Sequence, residues 1–195
     1  MSEFADSLSR VIGGYVPLTD TQVRLLGDHY ELLVRWNRKL NLTAIRTLEE
    51  AVTRHYAESL YFGATLGRLV QERLGLSQPA VVDIGSGAGF PGIPLAVLHP
   101  DWPVTLVESH RRKAVFLTES SRAIPSVQVL CARAESIKER FDVAVSRAVD
   151  PTEVLALGLA KATSLLAAED DVPRGTIVDR LPWGDRRVIT FHVEQ

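Results

Sequence analysis

The sequence predicts an α/β protein: a parallel, doubly wound, Rossmann-like sheet with a helical N-terminal extension and a short C-terminal hairpin. Three observations carry this. From about residue 80, short apolar runs alternate with helical segments, the pattern of parallel strands covered on both faces. The glycine-rich stretch DIGSGAGFPG, residues 83–92, follows the first such run, where open α/β sheets place a ligand-binding turn. Residues 1 to about 77 show helical periodicity alone, which divides the chain into an extension, 1–77, and a sheet domain, 78–195.

In the extension, Val23, Leu26, Tyr30, Leu33 and Leu40 form one apolar stripe, opened by Thr19 or Asp20 as a cap. Thr47 and Glu50 have capping-box spacing. The helix they start is expected to break near Gly63 and to stop near Gly75. Strands follow at 80–84, 104–108, 127–131 and 141–147, with helices at 92–98 and 110–123 and a helical turn at 135–139. Pro151 opens a helix through PTEVLALGLAKATSLLA. GTIVDRL and RVITFHVEQ flank PWGDR as an antiparallel hairpin.

The chain has 195 residues, 46% of them hydrophobic, and a net charge of −2, so a packed core is expected and any nucleic-acid contact must be a local patch. A single cysteine, Cys131, excludes an internal disulfide and a multi-cysteine zinc site. It ends the third strand run and reads as core. No signal peptide or membrane-spanning run is read. A cytoplasmic monomer without metal is expected.

The glycine loop admits two ligands. Gly87, Gly89 and Gly92 have dinucleotide spacing, but Asp83 ends the strand, and a carboxylate repels a pyrophosphate while attracting a cationic amino-acid group. That favours S-adenosylmethionine (AdoMet) over a nicotinamide dinucleotide. Gly85 and Gly87 let such a ligand lie against the main chain. Glu108, closing the second strand, suits the ribose hydroxyls. Ala134 and Glu135 suit the adenine edge. Phe90 is read as a ligand wall, packing inward being the alternative. After the fourth strand comes SRAVD, 146–150. No Asn/Asp-Pro-Pro-aromatic turn, cysteine nucleophile or carboxylate cluster stands there. The remaining acceptor is one that loses no proton, such as guanine N7, with Arg147 as the catalytic candidate.

WNRKLNLTAIR (36–46), RHYAESL (54–60), VVDIGSGAGFPGIPLAV (81–97), VESHRRKAVFL (107–117), ARAE (132–135) and FDVAVSRAV (141–149) resemble the bacterial 16S ribosomal RNA guanine-N7 methyltransferases, the glucose-inhibited division protein B family. The resemblance implies a class I AdoMet-dependent methyltransferase fold and methylation of one guanine of 16S ribosomal RNA. It implies cofactor contacts at Gly85, Phe90, Ala134, Glu135 and Arg147. After about residue 160 the chain departs from the family pattern: one strand and one helix are expected to be missing, with the hairpin shifted inward. Arg35, Arg38, Lys39, Arg46 and Arg54, with Arg111, Arg112 and Lys113, are read as a basic rim for RNA phosphates; the RNA is expected within a partly assembled small subunit. A small-molecule methyltransferase and an inactive binding module remain as alternatives. The five histidines read as scattered.

Overall fold

The computed structural model describes residues 2–172, 176–183 and 187–193. Helix α1 spans Glu3–Ile12 and α2 Asp20–Leu40. Thr19 caps α2, and Gln22 returns the bond to complete a capping box. Thr47 caps the short α3, Leu48–Ala51, accepting from the Glu50 N–H. The chain then widens into a π-helical stretch, Val52–Ala57, before α4, Glu58–Leu74. Gly75, at φ 67°, ends α4. The expected break at Gly63 is absent. A Cβ there would press on Leu95 and Leu98, and one at Gly67 on the His99 ring. The two glycines form a notch that lets a neighbouring helix approach closely, and the irregularity lies upstream, at Val52–Ala57.

The sheet contains β1 Val81–Ile84, β2 Val104–Val107, β3 Val127–Leu130, β4 Phe141–Arg147, β5 Ala160–Ala168, β6 Ile177–Arg180 and β7 Arg187–Val193, in the order β3-β2-β1-β4-β5-β7-β6. Strands β1 to β5 pair in parallel; β7 runs antiparallel to β5 and β6. Helices α5 Gly92–Leu98, α6 Arg111–Ser120 and α7 Pro151–Ala156 connect them. Asp150 caps α7 by accepting from the Thr152 and Glu153 amides.

Two expectations fail in the C-terminal third. The helix opened by Pro151 stops at Ala156, and Gly158, at φ 53°, turns the chain into β5. The fifth strand is therefore present, and the hairpin sits beyond it rather than in its place. AKATSLLAA has helical propensity, yet it lies between β4 and β7 with most of its residues buried, and burial in a sheet overrides propensity. Among the described residues only the turn Glu169–Asp171 stands between β5 and β6, so the shortening falls on the helix. The expected hairpin-turn residues 184–186, residues 173–175 ahead of β6 and the last two of RVITFHVEQ lie outside the described residues. Cys131 is the other correction. It is exposed, because β3 is an edge strand and residue 131 lies one past its end.

One apolar cluster joins the extension to the sheet. Phe4, Leu8, Leu26, Leu33, Tyr56 and Leu60 pack with Phe90, Ile93 and Phe116, and with Val81, Leu106, Val145 and Ile189 of the strands. A smaller cluster on the opposite face contains Val82, Ile84, Val107, Ala144, Val154 and Leu165. The strand period of two sorts these residues: Val81 and Asp83 face the extension, Val82 and Ile84 face away. The hairpin is fastened to α4 by Asp179, which accepts from Tyr61 Oη and Thr65 Oγ1 at 3.3 and 3.1 Å. Trp183 adds edge contacts with Tyr15 and Tyr61.

Candidate active site

In such a sheet a ligand crevice lies at the carboxyl ends of the strands, where the order reverses between β1 and β4. A cleft occurs there. Its first part, about 170 Å³, is lined by residues including Gly85, Glu108, Ser109, Ala134 and Glu135. Its second, about 420 Å³, is lined by residues including Glu153, Val154 and Leu157. Ile84, Ala134, Glu135 and Val149 line both parts, so the two adjoin. Val149 also borders a hollow of about 510 Å³ with Ala148, Asp150, Pro151, Thr152 and Asp171. Ala148 holds φ at 66°, left-handed for a residue with a Cβ.

The turn after β1 carries Gly85 at φ 71° and Gly87 at φ 56°, conformations that favour glycine. Gly85 is exposed at the cleft and Gly87 half-buried. Glu108 fastens this turn: Oε2 accepts from the Gly87 N–H at 3.0 Å and Oε1 from the His110 N–H at 2.7 Å. A carboxylate offers about four acceptor positions, so Glu108 retains capacity toward the cleft that it lines. Glu135 opens a single helical turn, Ala134–Ser136, and is exposed. Gly85, Gly87, Glu108, Ala134 and Glu135 are thus brought together.

Three other candidates lie elsewhere. Asp83 is fully buried beneath the loop, not at its mouth: its Oδ2 accepts from the Gly92 N–H at 3.1 Å. Its place on the same sheet face as Val81 is the reason. Burial pushes its carboxyl up to about 7, against the Gly92 N–H, which favours the charged form, while the Glu108 charge adds to the rise. Phe90 is not a wall of the cleft. It stacks on His55, ring centroids 4.6 Å apart, and meets His29 and Tyr56 edge-on. Arg147 turns its guanidinium toward the extension, 3.1 Å from His55 Nδ1 and 3.7 Å from Glu58 Oε2.

The histidines that read as scattered converge here in part. His29, from α2, joins the glycine loop: Nε2 lies 3.1 Å from the Ala88 carbonyl and Nδ1 2.7 Å from Tyr56 Oη. The carbonyl can only accept, so Nε2 carries the proton and Tyr56 donates to Nδ1. Burial holds this imidazole near 4, and so neutral at pH 7. His29 and His55 flank one ring, Phe90, although 26 positions separate them; no local signal announces that meeting. Of the expected basic rim, Arg35, Lys39 and Arg111 border two neighbouring grooves, while Arg38, Arg46, Arg54, Arg112 and Lys113 line neither. Trp36 and Phe116 join α2 to α6 at 5.8 Å, and a groove lined by Arg35, Trp36 and Lys39 meets one lined by Arg111 and Arg122 at their shared residue Glu119.

The strand order, the glycine turn after β1 and the carboxylate closing β2 define a class I, Rossmann-like methyltransferase fold. Among solved structures the chain is similar to magnesium protoporphyrin IX methyltransferase from Synechocystis PCC 6803, with a TM-score of 0.56 at 12% identity, covering 86% of this chain and 97% of that one; this likeness concerns the fold. The family model described as rRNA small subunit methyltransferase G matches residues 22–166. The chain belongs to that family. It is 41% identical over 129 residues to the Ribosomal RNA small subunit methyltransferase G of Nitrosomonas europaea, covering 64% of this chain and 56% of that protein. With the protein of that name from a Polaromonas species it shares 36% over 185 residues, covering 91% and 80%. The chain therefore spans little more than half of the Nitrosomonas relative's length.

Proposed function

We propose that this chain transfers the methyl group of AdoMet to N7 of a guanine in 16S ribosomal RNA, acting as a cytoplasmic monomer on a partly assembled small subunit. The observation that carries the proposal is the hollow that Gly85, Glu108, Ala134 and Glu135 line together, in a chain of this family. The residues fit the group. Gly85 is exposed at the cleft in a left-handed conformation, and Val149, itself a cleft residue, packs where its Cβ would stand, so Gly85 and Val149 together shape the wall that a ligand must meet. Glu108 offers acceptors for a diol, and Glu135 for an exocyclic amine. Bound AdoMet supplies an electrophilic methyl on a sulfonium.

The rest is positioning. Guanine N7 has a free lone pair at neutral pH, so transfer needs alignment and exclusion of water more than a base. The hollow beside Val149, walled by Ala148, Pro151 and Thr152, is where we place the acceptor. Arg35, Lys39, Arg111 and Arg112 are exposed and are the residues we assign to phosphates. Of the two losses behind the inactive-module alternative, the strand is present as β5 and the shortening falls on the helix after it.

The test is incubation with isotopically labelled AdoMet and small subunits from cells lacking the corresponding gene, with mass spectrometry of the RNA. One labelled 7-methylguanosine is expected. Label in metabolites and none in RNA would instead support the small-molecule reading, and absence of AdoMet binding by calorimetry would support the binding module. Light scattering on the eluting protein checks the monomer.

A further inference from the structure

A chain of contacts runs from the end of α2 to the end of β4. Asn37, at the last turn of α2, closes the following loop twice: Nδ2 donates to the Thr43 carbonyl at 3.0 Å and Oδ1 accepts from the Thr43 N–H at 2.9 Å. Thr43 Oγ1 lies 2.7 Å from His55 Nε2 and accepts from the Ile45 N–H at 3.1 Å. His55 Nδ1 lies 3.1 Å from an Arg147 nitrogen. Glu58, one turn beyond His55, approaches the same nitrogen at 3.7 Å. The His55 ring lies flat on Phe90 of the glycine loop. His55 sits in the π-helical stretch, buried like its neighbour Tyr56.

The Arg147 contact selects one tautomer of the imidazole. A guanidinium only donates, so His55 Nδ1 must be a lone pair and the ring proton lies on Nε2, directed at Thr43 Oγ1. A second proton on Nδ1 would point an N–H at Arg147. Burial first, then the Arg147 charge, holds the imidazole neutral, its pKa lowered to about 3, against the Arg54 backbone, whose hydrogen bond favours the charged form. The charged groups around it are Arg147 from β4, Arg54 and Glu58 from its own helical segment, and His29 from α2.

We propose that His55 is a positioning residue for methyl transfer: the Nδ1 lone pair orients Arg147 while the ring face seats Phe90, so one side chain of the extension sets the end of β4 relative to the glycine loop. Arg147 leads directly into Ala148 and Val149, which border the acceptor hollow, and Val149 borders the cofactor cleft as well. A shift of the strand end therefore moves both walls of the reacting space. The idea rests on the methyltransferase reading above and assigns a role to Asn37, Thr43 and His55.

The test separates lone-pair positioning from simple packing. Asparagine places an acceptor where Nδ1 stands, one bond from Cγ; glutamine reaches the Nε2 position instead. All three variants lose the ring face against Phe90, but only His55→Asn keeps the acceptor for Arg147: it is expected to lose about threefold in kcat, and His55→Gln and His55→Ala about tenfold or more, since misplacement by an ångström can cost up to about a hundredfold. AdoMet Kd should stay within about threefold throughout, because His55 lines neither part of the cleft. Equal losses in Asn and Gln variants, or losses that follow their melting temperatures, would overturn the proposal. Nitrogen NMR of the wild-type ring needs no substrate. A proton on Nε2, displaced when Arg147→Ala is introduced, supports the geometry; a proton on Nδ1 overturns it. Wild-type protein that methylates no ribosomal RNA while keeping the Nε2 proton would sink the activity reading and leave the geometry standing.

Discussion

Asp83 Oδ2 accepts a hydrogen bond from the Gly92 N–H at 3.1 Å, from beneath the glycine loop. The contact ties the end of β1 to the first residue of α5. It also leaves no room above it: a Cβ at Gly92 would strike Leu106 and the Asp83 carboxylate. The acid that suggested an electrostatic mouth is instead a fastener.

A pH dependence follows. The Asp83 carboxyl, raised by burial to about 7 from 3.8, holds a proton in the folded chain that the unfolded chain releases. Its contribution to stability is fully present below the unfolded value, declines as pH rises, and is gone above about 7. Asp83→Asn keeps an acceptor for Gly92 and has nothing to titrate. Its stability relative to wild type should therefore rise between pH 5 and 8, by roughly 3 kcal/mol at most, given about 1.4 kcal/mol per unit. Urea denaturation at several pH values reads this; a constant difference would show that the carboxyl titrates normally.

Gly85 and Gly87 should answer alanine differently. A Cβ on Gly85 lies 2.6 Å from Val149 Cγ2, whereas one on Gly87 meets nothing closer than 3.7 Å. Gly87→Ala carries only the left-handed backbone penalty, about 1–2 kcal/mol. Gly85→Ala adds displacement of Val149 and should weaken AdoMet binding about tenfold more than Gly87→Ala. Val149→Ala in the same chain should restore much of that loss in calorimetry. No restoration would mean that the clash with Val149 is not what limits binding.

The two cleft acids form a second contrast. Glu108 holds two backbone amides while facing the cleft, whereas Glu135 is exposed and takes no part in fastening the loop. Glu135→Ala should lower AdoMet affinity by roughly tenfold, the worth of a hydrogen bond to a charged group, with no change in melting temperature. Glu108→Ala should lower both. Equal melting temperatures for the two variants would contradict the fastening role of Glu108.

Much of this arrangement is legible in the sequence because its signals are local. Thr19, Thr47 and Gly75 announce helix ends by residue type, and turns bound the apolar runs of β1 to β4. Gly85, Glu108 and Glu135 follow from position at the ends of strands. Direction and context are what the sequence hides. Nearness to the glycines misplaces Asp83 and Phe90, although strand alternation aligns Asp83 with Val81 and hence with the core. The β5 segment is Leu- and Ala-rich and reads as helix until β4 and β7 enclose it. Position at a strand end points Arg147 toward a ligand; only the fold reveals His55 and Glu58 waiting beside it.

The basic grooves along α2 and α6 make the last prediction. Arg35 and Lys39 on α2, and Arg111 on α6, line two hollows that meet at Glu119, and Arg111 lies three residues past Glu108 at the cofactor cleft. If RNA phosphates run along this seam, removing a neutralising charge lowers affinity and also the number of counterions released. Arg111→Ala with Arg112→Ala should flatten the logarithmic salt dependence of RNA binding by about 0.7–0.9 for each phosphate left without its cation, and Arg35→Ala with Lys39→Ala by a similar amount. AdoMet affinity should hold, since none of these four residues lines the cofactor cleft. Arg68→Ala serves as the control: Arg68 is a surface arginine on α4, outside the α2–α6 seam and paired with Glu72. Filter binding from low to moderate salt measures the slopes. A slope unchanged in both double variants, or changed as much by Arg68→Ala, would place the RNA on another face of the molecule.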